Sequence, residues 1–372
     1  MKSHDFYDNL VEQSLRGDFF PIQTCEDILH ADSVELLPLL EAAFTVRKKF
    51  WGRSVKIHIL NNVQNGLCDQ DCQYCAQSRQ SQVPIETYPM KSDADIMTEA
   101  QKAYEKGAFR YCMVFSGKGI SDKRIQHIAR LVKEIKQRYP IEVCVSPGII
   151  THEQAKVLKA AGLNRLNHNI NTSEALYPRI CSTHSYQDRM ATLKAAKAVE
   201  LQICSGVIIG MGEATDDIIT MAATLRELQV ESIPVNFFMP MKGLPLAHQQ
   251  ALSPTYCLRV LCLFRFLNPK SEIRVAAGRE YYLRHMEVMA FYPANSLFLQ
   301  GYLNAKGANR LKTLQMLKDA HFTIESDKEL DDLIQTEIRL HGHECDDDTY
   351  ERLVIKNKDD LGVSQPSREH VE

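Results

Sequence analysis

The sequence predicts an α/β fold: a (β/α)8 TIM-type barrel with N-terminal helical decoration and a C-terminal extension. Between Val55 and Gly301, short β-branched or apolar runs alternate with longer amphipathic segments, as in parallel strands joined by helical crossovers. Eight such units can be counted, and eight parallel strands can close on themselves and remove both sheet edges. An open doubly wound sheet fits less well. No glycine-rich dinucleotide fingerprint follows the first strand, and the run from Gly206 to Glu213 lies in the fifth unit with the wrong spacing.

The strands are expected at Val55-Asn61, Arg110-Phe115, Ile141-Val145, Arg165-Ile170, Gln202-Ile209, Ile233-Met239, Glu272-Ala276 and Ser296-Leu299. Helices are expected between them, for example Ser92-Lys106, Ser121-Arg138, Thr151-Ala161 and Ser253-Leu267. Each opens on a Ser or Thr able to cap the first turn and closes near Gly or Pro. Residues 1-50 read as a helical segment in front of the barrel, 51-325 as the barrel domain and 326-372 as an extension. Asp346 to Glu372 carries 8 acidic and 4 basic residues with few large apolar side chains, so partial mobility is expected there.

Composition narrows the function. The chain has 372 residues, 44% of them hydrophobic, which excludes disorder. Its formal net charge of -3 favours neither nucleic acid nor an anionic membrane as partner. Residues 1-9 lack the basic start and apolar core of a signal peptide, and no run approaches the ~18 apolar residues of a spanning helix. A cytoplasmic protein is expected. In a reducing compartment, 11 cysteines argue for metal or catalysis rather than a disulfide framework.

Side chains alternate across a strand, so each candidate divides into two faces. Cys144 shares a face with Glu142 and Ser146, Cys204 with Gln202, Cys112 with Arg110, and Arg274 with Glu272; Asn167, Asn169 and Asn171 fall together. Helices cover the outside of a barrel, so the apolar faces point outward and these polar faces inward. A single strand cysteine is more often a small buried hydrophobe than a ligand. Three on the polar face of three strands point instead to an interior that encloses a polar ligand or cofactor. Read from the residues alone, Arg274 fits a salt bridge to Glu272 or Glu142.

Directly after the first strand comes Cys68-x3-Cys72-x2-Cys75, at the mouth where active sites of this fold lie. Three thiolates on a short loop suit three corners of an iron-sulfur cube and leave one iron open for a small chelating molecule. A zinc site would need a fourth Cys or His, and only His58 on the first strand is near in sequence.

Cys68-x3-Cys72-x-Tyr74-Cys75 resembles the signature of the radical S-adenosylmethionine enzymes, and its surroundings resemble the biotin synthase family. Further similar stretches are Arg110-Tyr-Cys112-Met, Asn167-His-Asn169, Ser182 to Arg189, Cys204 to Glu213, Val235-Asn236, Arg274 to Glu280 and Ala294-Asn295-Ser296, so that residues 35-325 are covered. The resemblance implies a 4Fe-4S cluster on Cys68, Cys72 and Cys75, and a 2Fe-2S cluster inside the barrel on Cys112, Cys144, Cys204 and Arg274. It implies contacts of Tyr74, Asn169 and Asn171 with S-adenosyl-L-methionine, and of Asn169 and Asn236 with dethiobiotin. The implied reaction inserts sulfur from the inner cluster into dethiobiotin after a 5'-deoxyadenosyl radical abstracts hydrogen, and no side chain is assigned as acid, base or nucleophile.

The resemblance further implies a flavodoxin-type electron donor, iron-sulfur assembly proteins as partners and a homodimer. Asn171 stands where some members carry an acid, and Val275-Ala276-Ala277 replaces a more glycine-rich stretch. Two other readings stay open at this stage: the same radical chemistry on another substrate, and a metal-binding scaffold without turnover. Cys25, Cys181, Cys257, Cys262 and Cys345 show no meaningful spacing, with Cys257 and Cys262 expected to be packing residues. His341-Gly-His343-Glu-Cys345 is expected to have a surface or tail role.

Overall fold

The structure is a computed structural model that describes residues 2-341 and 353-363. The strands are β1 (Ser54–Asn62), β2 (Arg110–Val114), β3 (Glu142–Ser146), β4 (Arg165–Asn167), β5 (Gln202–Cys204), β6 (Val207–Ile209), β7 (Ser232–Phe237), β8 (Glu272–Val275), β9 (Ser296–Phe298) and β10 (Thr323–Ile324). Each stave pairs in parallel with the next, and β9 returns to β1 through Lys56↔Ser296, Ile57↔Leu297 and His58↔Phe298. The result is the predicted closed barrel, with β5 and β6 sharing one stave and β10 added beside the start of β1.

The division of faces is as the alternation requires. Ile57, Tyr111, Val143, Val145, Leu166, Ile203, Ile273, Val275 and Leu297 are buried under the helices. The predicted caps form: Ser92, Ser121, Thr151 and Ser253 accept from the amides of Asp95, Arg124, Gln154 and Tyr256. Each contact satisfies one of the amide donors that a helix start leaves free.

Two strands are shorter or more broken than the sequence suggests. The fifth stave is interrupted at Ser205-Gly206, which lies opposite Ile233-Pro234 of β7. Pro234 has no N–H for the ladder. A Cβ on Gly206 would lie 2.0 Å from the Pro234 carbonyl oxygen, so only glycine lets the two backbones pass. The fourth stave stops at Asn167, and the chain bends until Asn171 takes a left-handed conformation at φ 67°. Asparagine tolerates this conformation better than most side chains.

Three helices, His4–Arg16, Ile22–His30 and Leu36–Trp51, form the N-terminal layer. They pack on the helix Pro254–Leu267, in which every residue from Cys257 to Leu267 is buried. That explains a helix apolar around most of its circumference: the barrel covers one side and the N-terminal layer the other. Arg259 crosses this contact to donate to the carbonyls of Ile28 and Val34, the first at 2.8 Å. Cys257 and Cys262 are packing residues within the helix, as expected.

Of the extension, the helix Leu330–His341 and residues 353-363 are described. The latter lie against the 302-306 loop, where Lys306 N–H donates to Val354 and Lys356 N–H to Asn304, both at 2.8 Å. Leu361 is buried, and its carbonyl accepts from the ammonium of Lys91. The tract from His341 to Cys345 extends into 342-352, outside the described residues. No helix among those described is long and apolar enough to cross a membrane.

Candidate metal and ligand site in the barrel

The inward side chains stack in layers. At the floor lies Glu272, fully buried, which pairs with Arg274 at 2.5 Å, His58 at 2.9 Å, Arg165 at 3.0 Å and Arg110 at 3.2 Å. Burial pushes its carboxyl up, but Arg110, His58 and Arg274 outweigh that and hold it well below the usual range. His58 is pushed well down by burial and by Arg274. It serves this floor and not the mouth loop, which removes the fourth donor considered for zinc. Arg110 also pairs with Glu142, so three guanidiniums face two carboxylates.

Above the floor, Cys112 on β2 and Cys144 on β3 are direct partners in register, and Asn167 on β4 pairs with Cys204 on β5. Arg274 enters from β8 and donates to the Cys204 sulfur at 3.6 Å and to Ser232 at 2.8 Å, while its buried Nε has no partner among the described residues. The Cys144 thiol is pushed well up by its hydrogen bond to Cys112 and by burial, and the same bond holds Cys112 down. The structure therefore brings all four sequence-predicted groups into one layer. It also realises the salt bridge from Arg274 to Glu272, the reading taken from the residues alone.

At the mouth, the loop carrying Cys68, Cys72 and Cys75 is wound into tight turns, with Cys75 N–H donating to Cys72 at 3.1 Å and Ser78 N–H to Cys75 at 3.0 Å. Gly66 at φ 68° and Leu67 at φ 52° reverse the chain into it. Burial pushes the Cys75 thiol up to about 11 and also raises Cys68. Tyr74 is bonded at its hydroxyl to the Asn171 amide at 2.5 Å. Asn169 accepts from Gly206 N–H at 3.0 Å, and Asn236 is held between the Val207 carbonyl at 2.9 Å and the Ala277 amide at 3.2 Å.

A cavity of about 270 Å3 connects these layers. It is lined by Cys68, Cys72 and Cys75 at the top, Asn169, Asn171 and Asn236 in the middle, and Cys112, Cys144 and Arg274 below. Cys204 does not face it directly, because the Asn167 amide at 3.3 Å and Arg274 cover its sulfur. The donor set suits iron: soft thiols on separate elements, cationic groups behind them, and an orphaned guanidinium nitrogen in the same layer.

Sequence reasoning left three residues of the mouth without roles. Cys181 lies 3.7 Å from the Cys72 sulfur and 3.3 Å from His184 Nδ1. Asp71 accepts from the amides of Ser182 and Thr183 at 3.0 and 3.1 Å, and from both of their hydroxyls. The contacts of Cys72 with Cys181 and of Asp71 with Ser182 and Thr183 join segments more than 100 residues apart, and no local spacing announces them.

Comparison with known proteins agrees with this geometry. The model of the radical SAM superfamily matches residues 64–225, and that of the Biotin and Thiamin Synthesis associated domain matches residues 234–323. A biotin synthase of Magnetococcus marinus is 52% identical over 86% of this chain and 100% of its own length. One of Geobacillus thermodenitrificans is 43% identical over 85% of this chain and 96% of its own. Among solved structures, methylornithine synthase superposes with a TM-score of 0.73 at 18% identity, covering 87% of this chain and 98% of its own. The FeFe-hydrogenase maturase of Carboxydothermus hydrogenoformans gives 0.73 at 15% identity, covering 88% and 80%; both likenesses concern the fold alone. By the length and identity shared with its relatives, the chain belongs to the biotin synthase family of radical S-adenosylmethionine enzymes.

Proposed function

We propose that the cavity is the site at which this enzyme converts dethiobiotin to biotin. Cys68, Cys72 and Cys75 hold the 4Fe-4S cluster at the mouth, and Cys112, Cys144, Cys204 and Arg274 hold a 2Fe-2S cluster below it. The observation that carries the reading is the convergence of three strand cysteines and Arg274 in one layer, joined by one cavity to the thiol loop above. When bound, the clusters and S-adenosyl-L-methionine supply the electron, the hydrogen-abstracting radical and the inserted sulfur, chemistry that no side chain offers.

The chain's own residues bind, orient and exclude water. Tyr74 and Asn171 brace each other across the mouth, and with Asn169 they present amide and hydroxyl groups to the polar part of S-adenosyl-L-methionine. Asn236, fixed on both sides by backbone, presents one remaining amide N–H and an oxygen lone pair to dethiobiotin. The Glu272 floor orients Arg274 and supplies positive charge beneath the thiols, which favours their deprotonated, metal-binding form. The barrel wall leaves the substrate between the two thiol sets, so that the reacting atoms meet in a confined geometry.

A flavodoxin-type reductant, iron-sulfur assembly proteins, a homodimer and a cytoplasmic setting complete the proposal, supported by the family. Anaerobic reconstitution with iron and sulfide, followed by turnover with dethiobiotin, tests it. Biotin and 5'-deoxyadenosine should appear together, and Cys144→Ala should lose one of two spectroscopically distinct clusters while keeping the other. Retention of both clusters in that variant overturns the inner-site assignment.

A further inference from the structure

Cys181 has no partner in sequence and acquires one in the fold. Gln73 N–H donates to the Ile180 carbonyl at 3.0 Å, and the Asp71 carboxylate accepts from Ser182 N–H at 3.0 Å. These bonds flank Cys72 and Cys181 and set the two residues opposite each other. Their sulfurs are 3.7 Å apart, in van der Waals contact. Reaching the ~2.05 Å bond asks the sulfurs to close by about 1.7 Å. Among the described residues, neither Cys68 nor Cys75 makes a thiol–thiol hydrogen bond to Cys72.

We propose that Cys72 and Cys181 form a reversible disulfide in the cluster-free chain, and that this bond withholds Cys72 from cluster assembly until it is reduced. The bond itself stands on the geometry of the two loops; only the withholding rests on the reading of Cys72 as a cluster ligand. The oxidant is a low-molecular-weight disulfide of the glutathione class. Cys72 lines the cavity and meets it first. Its sulfur attacks one sulfur of oxidised glutathione, giving a mixed disulfide and releasing one reduced glutathione. Cys181, buried behind it, then attacks the Cys72 sulfur and releases the second. Two thiol protons and two electrons leave the protein on two glutathione molecules. Excess thiol reverses both steps. Inside a reducing compartment such a bond is transient, as expected of a regulatory rather than structural disulfide.

The full chain, stripped of metal anaerobically, is incubated in glutathione buffers of graded potential. Free thiols are then alkylated, and the protein is mapped by mass spectrometry of non-reduced peptides. The expected result is a linked peptide joining Cys72 to Cys181 that disappears on adding dithiothreitol. Oxidised wild-type chain should fail to assemble the mouth cluster, read by its spectrum, and regain it with reductant, whereas Cys181→Ser should give no linked peptide and instead retain glutathione on Cys72. The reversal in the wild-type chain needs no variant to fold. Linkages confined to Cys68, Cys72 and Cys75, or no linkage at all, overturn the disulfide. If the disulfide is absent while Cys72→Ala alone abolishes the mouth cluster, the ligand reading stands and this inference falls. If the linked peptide forms and the mouth cluster still assembles, the withholding is overturned together with the ligand role of Cys72.

Discussion

Glu272→Gln is the sharpest perturbation of the barrel floor. The substitution keeps the side chain's size and one carbonyl oxygen but removes the charge that His58, Arg110, Arg165 and Arg274 share. Summing the three guanidinium pairs would overstate the cost, because Arg110 keeps Glu142, Arg165 keeps Gln202 and Arg274 keeps Ser232. The loss is therefore set at that of one broken buried pair, about 3–5 kcal/mol, or a folded-to-unfolded ratio lower by roughly a thousandfold. Urea unfolding of the metal-free chain measures it. Because the folded carboxyl lies well below its ordinary value, the wild-type advantage should be present above about pH 4.3 and fall away as pH drops through the folded value. Arg274 should also lose its fixed orientation, so the reconstituted variant should lack the inner cluster and keep the outer one. A variant within about 0.5 kcal/mol of wild type, an ordinary value for a surface change, would refute the view that this carboxylate holds the floor together.

Gly206→Ala places a methyl group against the Pro234 carbonyl, and should cost the upper part of the ~1–3 kcal/mol range for overpacking, read from the denaturation midpoint. Lys91 is buried and held down to about 8, so the unfolded chain binds more protons than the folded chain between that pH and about 10.4. Wild-type stability should thus rise across this window by up to about 3 kcal/mol relative to Lys91→Met; an unchanged difference between pH 7.5 and 9.5, read by urea midpoints at those chosen test values, refutes the burial argument. Truncation after residue 352 removes the acceptor of the Lys306 amide, whose hydrogen exchange should accelerate while that of β3 stays slow. Equal exchange at Lys306 in both chains counts against the docking of 353-363.

What was legible in the sequence was periodic or local. The faces of the strands follow from alternation, so the inward positions of Cys112, Cys144, Cys204 and Arg274 could be read without a structure. The caps at Ser92 and Ser253 needed only a hydroxyl before an amphipathic run. The break in the fifth stave was not legible, because its cause, Pro234, lies on the neighbouring strand. Nor was the sharing of one carboxylate by three guanidiniums and an imidazole, since parity assigns Glu272 to the interior but does not choose among the arginines there. The left-handed turn at Asn171 had a weak signal in its residue type. Cys181 had none: its partner is 109 residues away and is brought opposite only by hydrogen bonds between two irregular loops.

The floor also accounts for how a barrel can keep so polar an interior. Its three guanidiniums and two carboxylates leave one positive charge beneath the thiol layer. A buried cation without a counter-ion is costly, and a layer of three cysteines supplies negative charge when its thiols lose their protons to metal. The hydrogen bond from Arg274 to Cys204 already leans that way. On the proposed ligand role, the charge below and the thiols above are complementary. Replacing Cys112, Cys144 and Cys204 together by alanine should therefore destabilise the reconstituted protein more than it destabilises the metal-free chain. Equal losses in the two forms, measured by urea unfolding, would mean that the cysteines are packing residues and that the floor is balanced on its own.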